Sequence, residues 1–478
     1  MQKETDYLFD ESASYDKKDK YSIEQYGQGM VGKTFYELCL YDTNNSLISE
    51  PENEYFSDYE NRRRKGSLGQ LVEERFFHYK VNSDSAPDFS EAGVELKVTP
   101  YKINKNKSIS AKERLVLNII DYNSVAFEIN FYESHFWYKN QLILLVYYLW
   151  KEGIDRLQYQ INFVRLFTPN DADLTIIKND YSKIVEKIRE GKAHELSESD
   201  TFYLSACTKG ANADDVREQP FSSIKAKQRA FAYKTTFMTY VLNAYIIKGR
   251  PLFESIVKKE KIDDFEEFVI SKINKYKGKT FYELIKYFDI GFPIKAKNIG
   301  AMIAFRILGI KGNNAEEFVK ANIKVKTIRI NKQGKIKENM SFPVFKFTDL
   351  VEQDWEDSDF YELLSSTKFL FVIYREDEKN EYRLDHAQFW NMPYEDLENE
   401  VRVVWEKTKM VLENLPSELK ENGHFKSIFP KQSENRISHV RPHAANSKDT
   451  YPLPDGREYP KQCFWLNNSY ILSVINNK

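Results

Sequence analysis

Cysteine is scarce in this 478-residue sequence: Cys39, Cys207 and Cys463 stand far apart and show no metal-ligand spacing. That excludes a disulfide framework and a zinc site, and three isolated thiols suit a reducing compartment. Long apolar runs are also missing. The most apolar stretch, LILLVYYLW at 142–150, is about half of a membrane span and rich in β-formers, so it predicts a buried strand. The opening residues, MQKETDYLFDESASYD, carry neither the basic nor the apolar region of a secretory leader. The expectation is a cytoplasmic protein. An excess of charge is lacking as well, the net being −2. This does not exclude a polyanionic partner, because phosphate attraction depends on where the lysines sit. They cluster at Arg62, Arg63, Arg64 and Lys65, and again at Lys102, Lys105, Lys107, Lys112 and Arg114. Without other evidence such runs read as solvated faces.

What is present is ample core material, 41% hydrophobic and 15% aromatic, in a chain long enough for two or three domains of roughly 150 residues. An internal repeat organises it. The heptapeptide GKTFYEL occurs at 32–38 and at 278–284. Further parallels follow in the same order. KVTPYKINKNK (97–107) is echoed by KVKTIRINKQGK (324–335), both reading as basic β-hairpins. The stretch FYESHFWYKNQLILLVYY from Phe131 resembles FYELLSSTKFLFVIY from Phe360. KGANA (209–213) is answered by HAANS (443–447), and KQRAFAYKTTFMTYVL from Lys227 by KQCFWLNNSYILSVI from Lys461. Ordered matches of this kind point to duplication, with domains at 1–250 and 251–478. Each half reads as α+β, a mixed sheet flanked by helices. Apolar spacing predicts helices over 182–196 and 400–415, and Phe231 and Tyr233 read as the core of a terminal helix.

The chemistry lies in PDFSEAGVELK. Alternation in Val94-Glu95-Leu96-Lys97 has the period of a strand, so Glu95 and Lys97 share one face while Val94 and Leu96 enter the core. Ala92-Gly93 permits a tight turn, which returns Asp88 beside Glu95. Two hard carboxylates and a lysine are what Mg2+-assisted phosphodiester hydrolysis needs: a cation held by oxygen, and a base or charge partner for the attacking water. Glu73 is a candidate third acid, on a helix whose Leu68, Leu71, Val72 and Phe76 hold it inward. By spacing alone, a surface salt bridge competes with this reading.

The strings GSLGQLVEE, DSAPDFSEAGVELKVTP, KERLVLNIIDY, GKAHELSE, CTKGANA and KAKQRAFAYKTTFMT resemble the MutH-like nucleases, a branch of the PD-(D/E)xK fold. That family includes the mismatch-repair nicking enzyme and the Sau-type type II restriction endonucleases that cut at GATC. The two-copy length, GKAHELSE and KQRAF are more similar to the restriction enzymes. The resemblance implies catalytic Glu73, Asp88, Glu95 and Lys97, with Asp88 and Glu95 as ligands of Mg2+. It implies double-stranded DNA as substrate, contacts from Lys112, Arg114, Lys209 and Asn212, and a cognate DNA methyltransferase. Lys209 reads either as a phosphate anchor or as a base-edge contact. Cys207 and Ala232 depart from the nickase, which has an arginine and a tyrosine there.

The second copy has lost this set. Lys324 or, two residues earlier in register, Asn322 replaces Glu95. Ala304 replaces Glu73, and Glu317 or Ala315 answers Asp88. Lys326 keeps the lysine, and Arg441 and His443 face the positions of Cys207 and Lys209 as DNA-binding candidates. The expectation is one competent site per chain, so that two chains pair transiently on DNA or the strands are nicked in succession. Two rivals stand beside this: a methyl-directed repair nickase and a non-catalytic DNA-binding regulator.

Overall fold

The computed structural model describes residues 14–40, 67–78, 85–210, 215–247, 253–258, 260, 262–291 and 298–477. The basic run at 62–65 and Asn212 lie outside the described residues. The chain divides into two units, the first being residues 1–194, 201–253 and 319–321, the second residues 195–200, 254–318 and 322–478.

In the first unit the strands are β1 (Glu95–Ile103), β2 (Ile109–Ala111), β3 (Leu115–Ile119), β4 (Ile143–Leu149), β5 (Gln160–Phe167), β6 (Leu204–Thr208), β7 (Val216–Gln219), β8 (Ser222–Lys227) and β9 (Arg229–Tyr233). One sheet has the order β2-β1-β4-β5, a second β3-β9-β6, and β7 and β8 form a hairpin. The pairing of β1 with β4 is parallel, and the flanking pairs are antiparallel. Ile143 through Tyr147 are fully buried, as expected of a central strand covered on both faces. The basic hairpin forms as its sequence indicates, Lys102 facing Ser110 across β1 and β2.

The second unit contains β10 (Ile323–Ile330), β11 (Met340–Phe345), β12 (Lys368–Glu376), β13 (Tyr382–Trp390), the short hairpin β14 (Lys420–Glu421) and β15 (His424–Phe425), β16 (Ser438–Pro442), the hairpin β17 (Thr450–Pro452) and β18 (Glu458–Pro460), and β19 (Gln462–Leu466). Its sheets run β10-β12-β13 and β11-β19-β16. Again the first pair is parallel and the second antiparallel. The correspondence reaches single residues. The register shift between Val116 and Ile119 opposite β9 is matched by one between Ser341 and Val344 opposite β19. The shared GKTFYEL is a helix start in both units: Thr34 and Glu37 form a capping box, and so do Thr280 and Glu283.

Two sequence expectations are corrected. The helix expected over 182–196 spans Asp171–Arg189 instead. Asn170 caps it, acids fill its first turn and Lys187 and Arg189 its last, which suits the helix dipole. Gly191, at φ +72, ends it. Phe231 and Tyr233 are core residues, but of strand β9 between β3 and β6 rather than of a helix; the terminal helix is Thr235–Val241. A five-residue apolar run does not distinguish the two by periodicity.

The long helix is tied to β6 by Asp180. Fully buried, its carboxylate accepts the backbone N–H of Phe202 (2.7 Å), Tyr203 (2.6 Å) and Leu204 (3.0 Å). Asp180→Ala leaves these amides without partners and should cost about 3 kcal/mol or more. In thermal denaturation the first unit's transition should fall by roughly 6 to 12 °C; an unmoved transition contradicts this role for the carboxylate.

Candidate active site

Strand β1 begins at Glu95 because the chain has just turned. Phe89 and Val94 pair across a tight loop, and Gly93 closes it at φ +65, a left-handed conformation open to glycine. The turn lays Asp88 against the start of the strand. Leu96 N–H donates to Asp88 Oδ2 at 2.8 Å, and Asp88 N–H to Glu95 Oε2 at 3.3 Å. Lys97 Nζ donates to Glu95 Oε1 at 2.7 Å. Val94 and Leu96 are buried in the core of this unit. Glu95 shares the face of Lys97, as the alternation indicates, yet is only 2% exposed.

Part of that cover is Lys139, which the sequence reading did not single out. It sits at the end of the helix His135–Asn140, just ahead of β4. Since β4 lies parallel to β1 with Ile143 opposite Glu95, the lysine comes within 3.7 Å of Glu95 Oε2 and donates to the carbonyl of Ala86 at 3.1 Å. His135 of the same helix hydrogen-bonds the Ser85 carbonyl at 2.8 Å. The helix thus grips the segment that ends in Asp88. The signal that could have found Lys139 is the strand pairing, which spacing within one segment does not carry.

Glu73 approaches from a π-helical turn, Val72–Phe76, that extends the helix Ser67–Leu71. Such turns recur at functional sites. Burial, then the charge of Asp88, pushes the Glu73 carboxyl up to about 8; Lys97 opposes the shift, and Glu95 and Glu74 add to it. The Asp88 carboxyl rises to about 6 through burial and the charge of Glu95, against Lys97, the Leu96 amide and Lys139. Three carboxylates thus crowd one another in a place of low hydration. Among the described residues no three acidic, histidine or cysteine side chains have already converged on a common metal position. The donor set nevertheless fits a hard divalent cation: the ligands are carboxylate oxygens, and their mutual repulsion is what such an ion relieves.

The remaining candidates lie on other elements. Lys112, half-buried in the β2–β3 connection, places its ammonium 4.6 Å from the centre of the Trp150 ring. Arg114 immediately precedes β3 and is half-buried. Lys209 is exposed just beyond β6, its N–H donating to the Gln228 carbonyl at 2.9 Å. In the second unit His443 makes the matching bond to Lys461 at 2.9 Å. Arg441 pairs opposite Cys463 where Cys207 pairs opposite Ala230. The fully buried Cys207 is therefore answered by an exposed Arg441, stacked 5.0 Å over Trp465.

The second unit also resolves the register left open by the sequence. Ile323 pairs with Lys368 and Lys324 with Phe369. Asn322 has φ +53, so it takes the left-handed place of Gly93, which asparagine tolerates. Lys324 consequently stands where Glu95 stands, and Lys326 where Lys97 stands; the Asn322 alternative is excluded. Ala304 is fully buried. Glu317 is buried and engaged elsewhere, accepting from Ser255 Oγ (2.5 Å) and from the N–H groups of Ile256 (2.9 Å) and Val257 (3.2 Å).

The family model described as "DNA mismatch repair enzyme MutH" matches residues 77–180 and 308–402, one stretch on each side of residue 250. The type II restriction enzyme Sau3AI of Staphylococcus aureus is 40% identical over 463 residues, covering 87% of this chain and 93% of that protein. The DNA mismatch repair protein MutH of Shewanella woodyi is 30% identical over 186 residues, 38% of this chain and 78% of that protein. That of Vibrio vulnificus is 27% identical over 190 residues, 38% of this chain and 80% of that protein. Among the described residues no helix is long and apolar enough to cross a membrane. The chain belongs to the MutH-like nuclease family together with the restriction enzyme Sau3AI, and is a site-specific endonuclease.

Proposed function

We propose that this chain is a Mg2+-dependent type II restriction endonuclease that hydrolyses double-stranded DNA at GATC, leaving 5′-phosphate and 3′-hydroxyl ends. The observation that carries the reading is the crowding of Glu73, Asp88 and Glu95 around Lys97 and Lys139 in the first unit. Asp88 and Glu95 are the ligands of the ion, with Glu73 beside them. A bound Mg2+ supplies a Lewis acid for the phosphate and lowers the pKa of the attacking water. Lys97 orients that water and offsets charge developing on the phosphate. Lys139 positions Glu95 and the Asp88 segment. Lys112, Arg114, Lys209 and Asn212 hold the duplex, mostly through its phosphates.

The two units are a tandem duplication in this reading, with the first catalytic and the second silent. Support comes from the shared strand order, the matching register shifts and the paired family matches. The second unit binds DNA through Arg441 and His443, as an activating or positioning module. With one carboxylate set per chain, a double-strand cut takes two chains paired transiently on DNA or two successive nicks. A cognate methyltransferase protects the host's own sites, and the cytoplasm is where both act. The repair-nickase alternative fits less well, since the likeness to Sau3AI covers 87% of the chain while that to the individual MutH proteins covers 38% to 47% of it.

Three outcomes are expected. Unmethylated supercoiled plasmid incubated with the protein and Mg2+ should become linear and then fragment at GATC on end mapping; accumulation of open circles alone would favour the nickase. Glu95→Ala should lower the cleavage rate by at least about 1,000-fold while duplex affinity in Ca2+, measured by fluorescence anisotropy, changes less than about threefold. The third concerns pH. Glu73 and Asp88 have folded-state values raised above their ordinary ones, so their contribution to the stability of the metal-free fold is greatest when both are protonated. That contribution falls as pH rises from about 4 through 6 for Asp88 and on to 8 for Glu73. Ca2+ should therefore raise the melting temperature more at pH 8.5 than at pH 6, and Glu73→Gln should stabilise the metal-free protein at the higher pH. A melting temperature indifferent to Ca2+ at both pH values would remove the metal site from this account.

A further inference from the structure

The second unit does more than lose a metal site: the charge at that position is inverted. Lys324 and Lys326 lie two apart on β10, on the face that Glu95 and Lys97 occupy on β1. Lys324 is exposed and Lys326 half-buried. In the first unit Lys97 is neutralised by Glu95 at 2.7 Å. In the second, neither lysine forms an ion pair or side-chain hydrogen bond with any described residue, and the like charge of each leaves the other in need of an anion. The acids that could have served are gone or engaged: Ala304 is buried in the place of Glu73, and Glu317 is capping residues 255–257. Burial, and then the charge of Lys324, holds the Lys326 ammonium below its usual range. A half-buried cation without a partner is destabilising. Nothing in the fold requires it, since an apolar side chain could fill the same place.

We propose that the vacated catalytic position of the second unit is a phosphate site, in which Lys324 and Lys326 bind a DNA backbone phosphate directly and without a metal ion. The strand position that, in the proposed reaction, holds a phosphate through a cation in the first unit then holds one through two ammonium groups in the second. The duplex is gripped at this site but not cut, because no carboxylate there can hold a cation or activate a water. This inference rests on the second unit binding DNA, and it differs from the rest of that reading in needing no divalent ion.

The test is anisotropy of a fluorescent duplex with the full-length chain in EDTA, over a series of salt concentrations. Without metal the crowded carboxylates of the first unit repel phosphate, which weights the signal toward the second. Lys326→Met should weaken metal-free binding about tenfold and reduce the slope of log affinity against log salt by about one, the mark of one lost phosphate contact. Lys326→Arg should retain both. The melting temperature of Lys326→Met should equal or exceed that of the wild type, which separates loss of a contact from loss of the fold. Unchanged affinity and slope in Lys326→Met overturn the phosphate site, as does a weakening that Lys326→Arg shares in full. Cleavage of plasmid by the unmodified chain in Mg2+ is scored separately: its absence defeats the proposed enzyme reaction, whatever the EDTA titration gives.

Discussion

The parallel pairing of β1 with β4, from Glu95 opposite Ile143 to Tyr101 opposite Leu149, is the constraint on which the site depends. It sets a strand whose first five residues are fully buried beside one that carries charge at its first residue. Because the pairing is parallel, the residues preceding both strands gather at the same end of the sheet. That end therefore receives the Asp88 turn from one strand and Lys139 from the helix before the other. Antiparallel pairing would have sent the two groups to opposite ends, and Glu95 would have kept Lys97 as its only cation. The π-helical turn bearing Glu73 adds an acid to a place already short of counter-charge.

The two units separate scaffold from chemistry. Strand order, the parallel first pair, the capping boxes and the register shift beside the terminal strand persist in both. Apolar burial and backbone hydrogen bonding account for that persistence, and neither depends on the identity of the side chain at position 95 or 324. The electrostatics of the two sites are opposed. One has carboxyls raised by burial and by one another's charge; the other has an amine depressed by burial and a like charge. The 2% exposure of Glu95 also makes a surface salt bridge, the bland reading of the Glu95–Lys97 spacing, an incomplete account. The pair exists at 2.7 Å, but it is enclosed by further acids that a surface pair would not have.

Legibility in the sequence followed the range of the interaction. The capping boxes, the β1–β2 hairpin, the buried β4 and the Asp88–Glu95 turn are written in contiguous residues, and each could be read from spacing. The extent of the long helix was misplaced, because its apolar stripe continues upstream to a cap at Asn170 that the periodicity after Ser182 does not reveal. Phe231 and Tyr233 read as helix core, since an aromatic-rich run of five residues has no period to display. Lys139 was missed for a different reason. Its role arises from pairing between segments some fifty residues apart, and no local pattern encodes that. The choice between Lys324 and Asn322 needed the backbone itself, where a left-handed residue at 322 fixed the register.

The turn at Gly93 has a consequence for how such a protein changes over time. It brings Asp88 and Glu95 together through eight consecutive residues, so the acidic pair is a local insert on a strand end that the core does not consult. Substituting its carboxylates alters what the strand end attracts without altering where it lies. On the proposed duplication, a few substitutions at this turn exchange a carboxylate pair for a lysine pair on a strand start with the same parallel pairing. Asn322, left-handed like Gly93 but followed by Lys324 rather than by an acid, keeps the conformation of the turn under the opposite charge.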